Sequence, residues 1–270
     1  MSEPPHPFVM PPGADQLVTD DGEPMESARH RQQMAILIES LEFAWQERTD
    51  YYVGGNMFLY FSETQTRRND FRGPDVFVVL NTTRRERKAW VVWEEEGKSP
   101  DVIIELLSET TEAVDRGEKM RVYGRLLKVG EYFLFDPLSG VFEGYELEAA
   151  GAGYRPKIPD AHGNLKCSQL GLWLGKMRSS LWAVDVDWLR WLDADGQPLP
   201  MPQEAAHAVK AQLSQALEQQ QAQQLRANAE AERANAEAER ANAEAERANA
   251  EAERARSLAA ELEAFRAKQT

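Results

Sequence analysis

The first periodic stretch of the chain predicts a helix between residues 25 and 48. Its apolar side chains recur at three- and four-residue spacings and fall on one stripe, which comprises Met34, Leu37, Ile38, Leu41 and Trp45. His30 lies four residues before Met34 and shares that face. A histidine on an apolar face is usually a core residue, and a role in a site is the alternative.

Shorter apolar runs bounded by turn residues predict β-strands within 50–61, 76–80, 89–93, 100–108 and 131–137. Gly54, Gly55 and Asn56 interrupt the first of these runs, which indicates a turn or a bulge. The run 100–108 is apolar nearly throughout, so we expect a central strand that is covered on both faces.

A further helix is predicted between the last two of these strands. It runs to about Lys128, and Gly130 is its stop signal. A strand, a crossover helix and a strand of this length predict a right-handed parallel unit. Residues 141–200 predict short antiparallel strands. Their tryptophans are expected in the core rather than in base stacking, and they are Trp173, Trp182, Trp188 and Trp191.

The end of the chain carries an unchanged seven-residue repeat. Ala-Asn-Ala-Glu-Ala-Glu-Arg occurs four times within 227–254, and a strict seven-residue period favours a left-handed supercoil of helices. Its alanines form a stripe of alternating four- and three-residue steps that Leu213, Leu217 and Leu262 extend. The repeat predicts a coiled coil that joins copies of the chain through 203–270. The alternative is a solitary helix held by alanine propensity and Glu–Arg pairs.

Composition divides the 270 residues into three parts. Residues 1–24 are rich in Pro, Gly and Asp, which predicts a flexible arm. Residues 25–202 contain all seven tryptophans and suffice for one domain with a hydrophobic core. Residues 203–270 contain no Asp, Trp, Tyr or Gly and form the repeat-bearing tail.

Charge and cysteine content limit the classes of function. The tail has 12 Glu against 9 Lys and Arg, so residues 1–202 hold −11 of the formal charge of −14. This acidity argues against bulk electrostatic attachment to nucleic acid, but it allows a local basic rim. Cys167 is the single cysteine, which excludes a disulfide within the chain and fits a reducing compartment. No apolar run approaches the ~18 residues of a membrane span, so we expect a cytoplasmic protein.

Acidic residues in the predicted strands require a partner, because a buried carboxylate without one costs several kcal/mol. Strand alternation places Asp75 on the face of Phe77, and it places Asp101 and Glu105 together on one face of 100–108. Asp101 and Glu105 are about 13 Å apart along a strand, so one metal ion does not bind both. Asp75 and Glu105 are therefore the predicted ligand pair for a divalent metal, and Asp101 is an accessory candidate.

As an ordered set, the motifs resemble the Uma-type restriction endonuclease family, which belongs to the PD-(D/E)xK nuclease superfamily. They are Gly73-Pro74-Asp75, the run from Pro100 to Ser108, the run from Asp115 to Lys119, Tyr123, and the run from Glu131 to Pro137. The resemblance covers 25–202. It implies an α/β fold of the restriction-endonuclease type, a mixed sheet flanked by helices, with the order helix, three-stranded meander, helix and strand. The long helical tail is an addition.

The resemblance also implies a site that uses Mg²⁺ or Mn²⁺. Asp75 and Glu105 match the two metal-binding acids of the superfamily, whose lysine stands two residues after the second acid. Leu107 occupies that position here, which is a departure from the pattern. Lys119 on the following helix is the candidate replacement for the lysine.

Four-residue spacing puts Lys119 on one helix face with Asp115 and Tyr123, which are accessory candidates together with His30. The alternative for Lys119 is a simple surface pair with Asp115. A basic loop before Asp75 is a candidate for phosphate contacts, with solvated loop charge as the alternative, and it contains Arg67, Arg68 and Arg72.

Two functions follow from these features. The first is a metal-dependent endonuclease that hydrolyses DNA, which the retained Asp75 and Glu105 favour. The second is a nuclease fold with weak or lost catalysis that serves in binding or assembly through its coiled coil, which Leu107 and the acidic body favour. A purely structural oligomeriser explains the tail, but it does not explain a glutamate among apolar strand residues.

Overall fold

Six strands form the central sheet in the computed structural model, which describes residues 11–19, 27–62, 73–149 and 153–267. Numbered along the chain, the first eight strands are Tyr51–Gly54 (β1), Leu59–Tyr60 (β2), Val76–Leu80 (β3), Trp90–Val91 (β4), Val102–Leu106 (β5), Glu131–Phe135 (β6), Phe142–Leu147 (β7) and Tyr154–Pro156 (β8). The order across the central sheet is β1-β3-β5-β6-β7-β8, and β2 and β4 form a separate parallel pair.

The central sheet begins as an antiparallel meander and continues with a parallel strand. Helix α1, Ala28–Ala44, precedes β1, and β1, β3 and β5 pair in antiparallel fashion. Helix α2, residues 112–127, leads from β5 to β6, which lies parallel to β5. The order of helix, meander, helix and strand confirms the predicted α/β fold class.

Both faces of the central sheet are covered, as its apolar strands predict. One face packs against α1 and the second sheet through a core that includes Leu37, Val78, Ile104, Phe133, Leu174 and Trp191. The other face packs beneath α2 through Phe77, Val79, Ile103, Tyr132, Val122, Tyr123 and Leu127. Side chains alternate along a strand, so Glu105 shares the α2 side of the sheet with Ile103.

The second sheet consists of Leu165–Cys167 (β9), Leu172–Leu181 (β10) and Val184–Leu192 (β11), all antiparallel. The side-chain amide of Gln33 on α1 donates to the Leu189 carbonyl oxygen at 2.8 Å, and its oxygen accepts from the Leu189 N–H at 3.0 Å. Trp188 and Trp191 are fully buried, as predicted. Trp182 is 42% exposed at the β10–β11 turn, so the prediction of a core position is wrong for this residue.

Helix α2 ends before the glycine that was predicted to stop it. Lys128 takes the left-handed conformation with φ of 56°, and its N–H bonds to the carbonyl oxygen of Tyr123. Gly130 lies beyond this cap, next to β6, so it is not the stop signal. The helix contains two π-helical stretches, Asp115–Lys119 and Tyr123–Leu127, whose hydrogen bonds reach five residues along the chain rather than four.

Residues 11–19, part of the segment for which a flexible arm is predicted, contact the region of β4. Trp93 Nε1 donates to the Pro12 carbonyl oxygen at 3.1 Å, and Lys88 Nζ lies 2.6 Å from Asp15 Oδ1. Ala14 and Leu17 pack against a small apolar cluster that contains Val91. The contacts tie this part of the chain to the nearby strands.

Contacts divide the chain into two units, 1–205 and 206–270. Helix α3, Pro202–Ala267, confirms the predicted helical tail. Side chains 206–261 are exposed, those of the alanine stripe included, and the coiled coil stays a prediction. Among the residues that the structure describes, no helix has the length and apolar character that a membrane span requires.

Candidate active site

Glu105 on β5 is the centre of a polar cluster beneath α2, and none of its surface is exposed. Its Oε1 accepts a hydrogen bond from the Tyr123 hydroxyl at 2.9 Å, and Lys119 Nζ lies 3.1 Å from the same oxygen. Its Oε2 accepts from the backbone N–H of Asp75 at 3.3 Å. Glu105 therefore joins β5, α2 and the start of β3 at one point.

Asp75 immediately precedes β3 and lies opposite Glu105 in the sheet. Val76 pairs with Ile104, and in an antiparallel register the preceding residue of one strand faces the following residue of the other. Asp75 Oδ2 accepts a hydrogen bond from the Leu106 N–H at 2.7 Å. The structure thus brings together the two acids that the sequence analysis chose as a ligand pair.

Lys119 reaches Glu105 from α2 and also pairs with Asp115, one turn earlier. Its Nζ lies 2.8 Å from Asp115 Oδ1. The side chains of Lys119 and Asp115 are 17% and 1% exposed, so this is no surface pair. The ammonium bridges two buried carboxylates on different elements.

Burial is the largest single influence on the pKa of each of these groups. It raises the pKa of Glu105 to about 8, because the charge of Lys119 offsets only part of the lost hydration. Burial also raises the pKa of Asp75, against the opposing effects of the Leu106 N–H and Lys119, although part of the residue's surface is accessible. Burial acts to lower the pKa of Lys119, but the charges of Glu105 and Asp115 outweigh it and the pKa is raised. Lys119 therefore stays cationic, and Glu105 lacks full compensating charge.

Residues 16–175 match the model of the Uma2 family, which is described as "Putative restriction endonuclease". The chain belongs to the Uma2 family. A crystal structure of "a putative nuclease belonging to DUF820" from Anabaena variabilis ATCC 29413 is similar to it, with 17% sequence identity and a TM-score of 0.36. That similarity covers 52% of this chain and 73% of the other. No curated protein matches the chain. The Uma2 match confirms the resemblance seen in the motifs.

In this Uma2 chain, the strand position expected to carry a lysine belongs to the core. Leu107 is 2% exposed and packs in the apolar cluster beneath α2. Its N–H donates to the Phe135 carbonyl oxygen at 2.7 Å, and its carbonyl oxygen lies 3.1 Å from His30 Nε2. His30 thus contacts the backbone just beyond β5, and its Nδ1 lies 2.9 Å from Ser27 Oγ. The lysine of the cluster comes from α2 instead.

The structure does not place the accessory candidate Asp101 in the cluster. Asp101 lies at the opposite end of β5, where its Oδ2 accepts from the Leu80 N–H at 2.7 Å. The candidate phosphate contacts lie outside the described residues, and they are Arg67, Arg68 and Arg72. In the basic segment after β3, buried Arg87 donates to both carboxylate oxygens of Glu95 at 2.7 and 2.9 Å, which is a structural pairing.

Two groups of the cluster are not among the candidates predicted from the sequence. Tyr132 on β6 donates its hydroxyl to the Asp115 carbonyl oxygen at 3.0 Å, and its ring meets that of Tyr123 edge-on at 5.5 Å. The Leu106 N–H binds Asp75. Every residue except proline has a backbone N–H, so a sequence cannot show which one binds a ligand residue. The signal for Tyr132 was its place in the family motif, on a strand parallel to β5.

The two carboxylates fit a hard divalent cation. Among the described residues, no group of three or more His, Cys, Asp or Glu side chains is arranged to hold a metal. Mg²⁺ commonly takes one or two carboxylates and completes its shell with water and substrate phosphate. Asp75 and Glu105 supply that number. A cation beside them would also offset the cost that the raised pKa of Glu105 expresses.

Proposed function

We propose that the protein is a metal-dependent endonuclease that hydrolyses phosphodiester bonds of DNA. The proposal rests on the meeting of Asp75, Glu105 and Lys119 at one point of the sheet in a chain of the Uma2 family. Two acids and a lysine are the groups that the PD-(D/E)xK resemblance implies for such a site. Here they converge although the lysine comes from a different element.

Each residue has a distinct role in the proposed reaction. Asp75 and Glu105 would hold Mg²⁺ or Mn²⁺, which when bound would polarise the scissile phosphate and lower the pKa of a water molecule. Lys119 stabilises the negative charge that develops on the phosphate oxygens. Tyr123 fixes the orientation of Glu105 through its hydroxyl, and Asp115 holds the Lys119 ammonium in place.

The first test is cleavage of supercoiled plasmid in Mg²⁺ or Mn²⁺ by the wild type and by Glu105→Gln. We expect metal-dependent nicking by the wild type and a loss on the order of 10²-fold or more in the variant. Glu131→Gln is the matched control, because Glu131 is also buried and pairs with Lys157 at 2.6 Å, away from this cluster. Measurable cleavage at the same rate by the wild type and by Glu105→Gln would refute the proposed site.

The buried leucine at position 107 favours the second candidate, a nuclease fold with weak catalysis that acts in binding or assembly. The same assay separates the two functions. A wild type that binds Mn²⁺ and DNA but leaves plasmid and single-stranded DNA intact supports the second candidate. Cleavage of RNA under conditions that leave DNA intact would change the proposed substrate.

The proposal extends to partners and location. Residues 203–270 would join a second copy of the chain through the alanine stripe, so that two nuclease domains act together. The buried Cys167 thiol, the only cysteine, fits a reducing compartment, and the cytoplasm is the proposed location.

A further inference from the structure

The turn between β1 and β2 contacts the backbone of Asp75. Asn56 takes a left-handed conformation with φ of 47° and directs its N–H at two carbonyl oxygens, that of Pro74 at 3.2 Å and that of Asp75 at 3.3 Å. The turn therefore holds the peptide that carries the proposed metal ligand.

Gly55 lies at the tightest point of this contact. A Cβ atom there would lie 2.9 Å from the Asp75 carbonyl oxygen, 2.4 Å from Ile38 Cδ1 and 3.1 Å from Met34 Sδ. The first of these atoms belongs to the backbone and cannot rotate away, whereas the other two belong to side chains of α1. A residue with a side chain at position 55 must therefore displace either the turn or Asp75.

Asp75 is consequently fixed by three neighbours. Asn56 binds its carbonyl oxygen, its N–H donates to Glu105 Oε2, and its Oδ2 accepts from the Leu106 N–H. A shift of the Asp75 backbone changes its hydrogen bond to Glu105 directly. The distance between the two carboxylates therefore depends on a turn that contributes no side chain to the site.

We propose that Gly55 and Asn56 are positioning residues that set Asp75 against Glu105 for metal binding. This inference rests on the proposed function, because it assumes that these two acids bind the metal. Gly55 acts by the absence of a side chain, and Asn56 acts through its backbone N–H. Neither touches the metal or the substrate.

The test is Mn²⁺ affinity, measured by titration calorimetry and by the electron paramagnetic resonance of free Mn²⁺. We expect Gly55→Ala to weaken binding roughly 10- to 100-fold, the range found when groups that orient metal ligands are removed. Gly54→Ala is the matched control. Its Cβ would lie 2.5 Å from the Phe77 ring and 3.0 Å from the Tyr52 ring, and none of its close contacts is with Asp75. We expect it to lose stability but keep the affinity of the wild type.

A second pair of variants separates the Asp75 contact from the contact with α1. Ile38→Val removes the Cδ1 atom that a methyl group at position 55 would strike. Ile38→Val combined with Gly55→Ala therefore leaves the Asp75 carbonyl as the main obstruction and folds more readily. We expect the double variant to bind Mn²⁺ as weakly as Gly55→Ala. Full affinity in the double variant would overturn the proposal. Asn56→Gly keeps the N–H and should bind normally.

Glu105→Gln distinguishes failure of this inference from failure of the proposed function. If Glu105→Gln loses Mn²⁺ binding and Gly55→Ala retains it, the positioning role is wrong and the metal site stands. If the wild type binds no Mn²⁺, or Glu105→Gln binds it as the wild type does, both proposals are wrong.

Discussion

Glu105 serves the proposed function at a cost to folding. None of its surface is exposed, and burial that one lysine does not fully offset raises its pKa to about 8. A carboxyl group whose pKa is raised on folding destabilises the folded state at a pH above its unfolded pKa, so a neutral group in its place removes that cost. Active sites commonly retain such costs because the chemistry requires them.

Glu105→Gln should therefore stabilise the metal-free protein. We expect the free energy of unfolding in EDTA at pH 8 to rise by roughly 1–2 kcal/mol, measured by urea denaturation. Added Mn²⁺ should raise the melting temperature of the wild type and leave that of the variant unchanged. A variant less stable than the wild type in EDTA would show that the Lys119 contact outweighs the cost of burial.

Lys119→Met removes the ammonium group while keeping an unbranched side chain that is one atom shorter. We expect cleavage to fall on the order of 10²-fold because the charge on the phosphate loses its stabilising partner. Mn²⁺ should bind at least as tightly as in the wild type, since a cation near the ligands has been removed. Lys157→Met is the control, because Lys157 pairs with buried Glu131 elsewhere in the fold. Unchanged cleavage in Lys119→Met would limit this lysine to a structural role.

At the scale of single residues, the alternation of side chains along a strand and the rise per residue together select Asp75 and Glu105 and set Asp101 apart. They could not reveal the Leu106 N–H or the depth of Lys119. Spacing alone leaves Lys119 free to lie on the surface or in the interior, because the packing of α2 against the sheet is a tertiary property. In the structure Lys119 lies in the interior, in a pair with buried Asp115.

Helix α2 also has features that the sequence predicts and features that only tertiary packing determines. Its existence, its parallel crossover and its end near Lys128 follow from local pattern and chain length, but the residue that caps it does not. Lys128, rather than a glycine, takes the left-handed cap, and no propensity rule favours a lysine there. The π-helical stretches also lack a sequence signature, because they arise where packing shifts the hydrogen bonds by one residue.

The start of α3 is anchored by an ion pair that gives a pH-dependent prediction. Arg190, almost fully buried on β11, donates to Glu204 Oε2 at 2.7 Å, and the Met201 N–H donates to the same oxygen at 2.8 Å. Partial burial acts to raise the pKa of Glu204, but these hydrogen bonds outweigh it and the pKa is lowered. The pair therefore stabilises the fold above the unfolded pKa of about 4.5 and loses its effect as the pH falls through the lowered value.

Glu204→Gln should lower the free energy of unfolding at pH 7 by about 1–2 kcal/mol, a value that allows for the partial exposure of Glu204. The difference from the wild type should shrink as the pH falls below the unfolded pKa, in urea denaturation series at several pH values. Glu218→Gln, on the exposed surface of the same helix, is the control and should have no effect. A difference that persists in acid would show that the amide disturbs the helix start itself.

At the scale of the molecule, the predicted coiled coil has a register that would constrain how two tails pair. If Ala231 and Ala234 take the a and d positions of a coiled coil, Glu230 takes g and Asn228 takes e. Parallel pairing places Glu against Asn, whereas antiparallel pairing places Glu against Glu. If the tails pair, the charges therefore favour a parallel over an antiparallel arrangement.

Ala238→Glu on the stripe and Ala236→Glu outside it make a matched comparison. Both substitutions alter the same helix by the same residue, so they differ only in the face they change. We expect analytical ultracentrifugation to show that Ala238→Glu weakens self-association and that Ala236→Glu does not. Equal masses for both variants and the wild type, at the mass of one chain, would favour the solitary helix.

The lysine and the carboxylates of the candidate site belong to separate elements, and this has a kinetic consequence. A lysine carried on β5 would leave the site only when the sheet itself unfolded. A lysine carried on α2 leaves whenever that helix detaches, and regions of a protein open at different free energies. Amide hydrogen exchange should then be faster in α2 than in the strands of the central sheet. Loss of protection in α2 alone would identify molecules in which the sheet is folded but the Lys119 ammonium has left the site. On heating, the proposed cleavage activity would then be lost before the sheet melts.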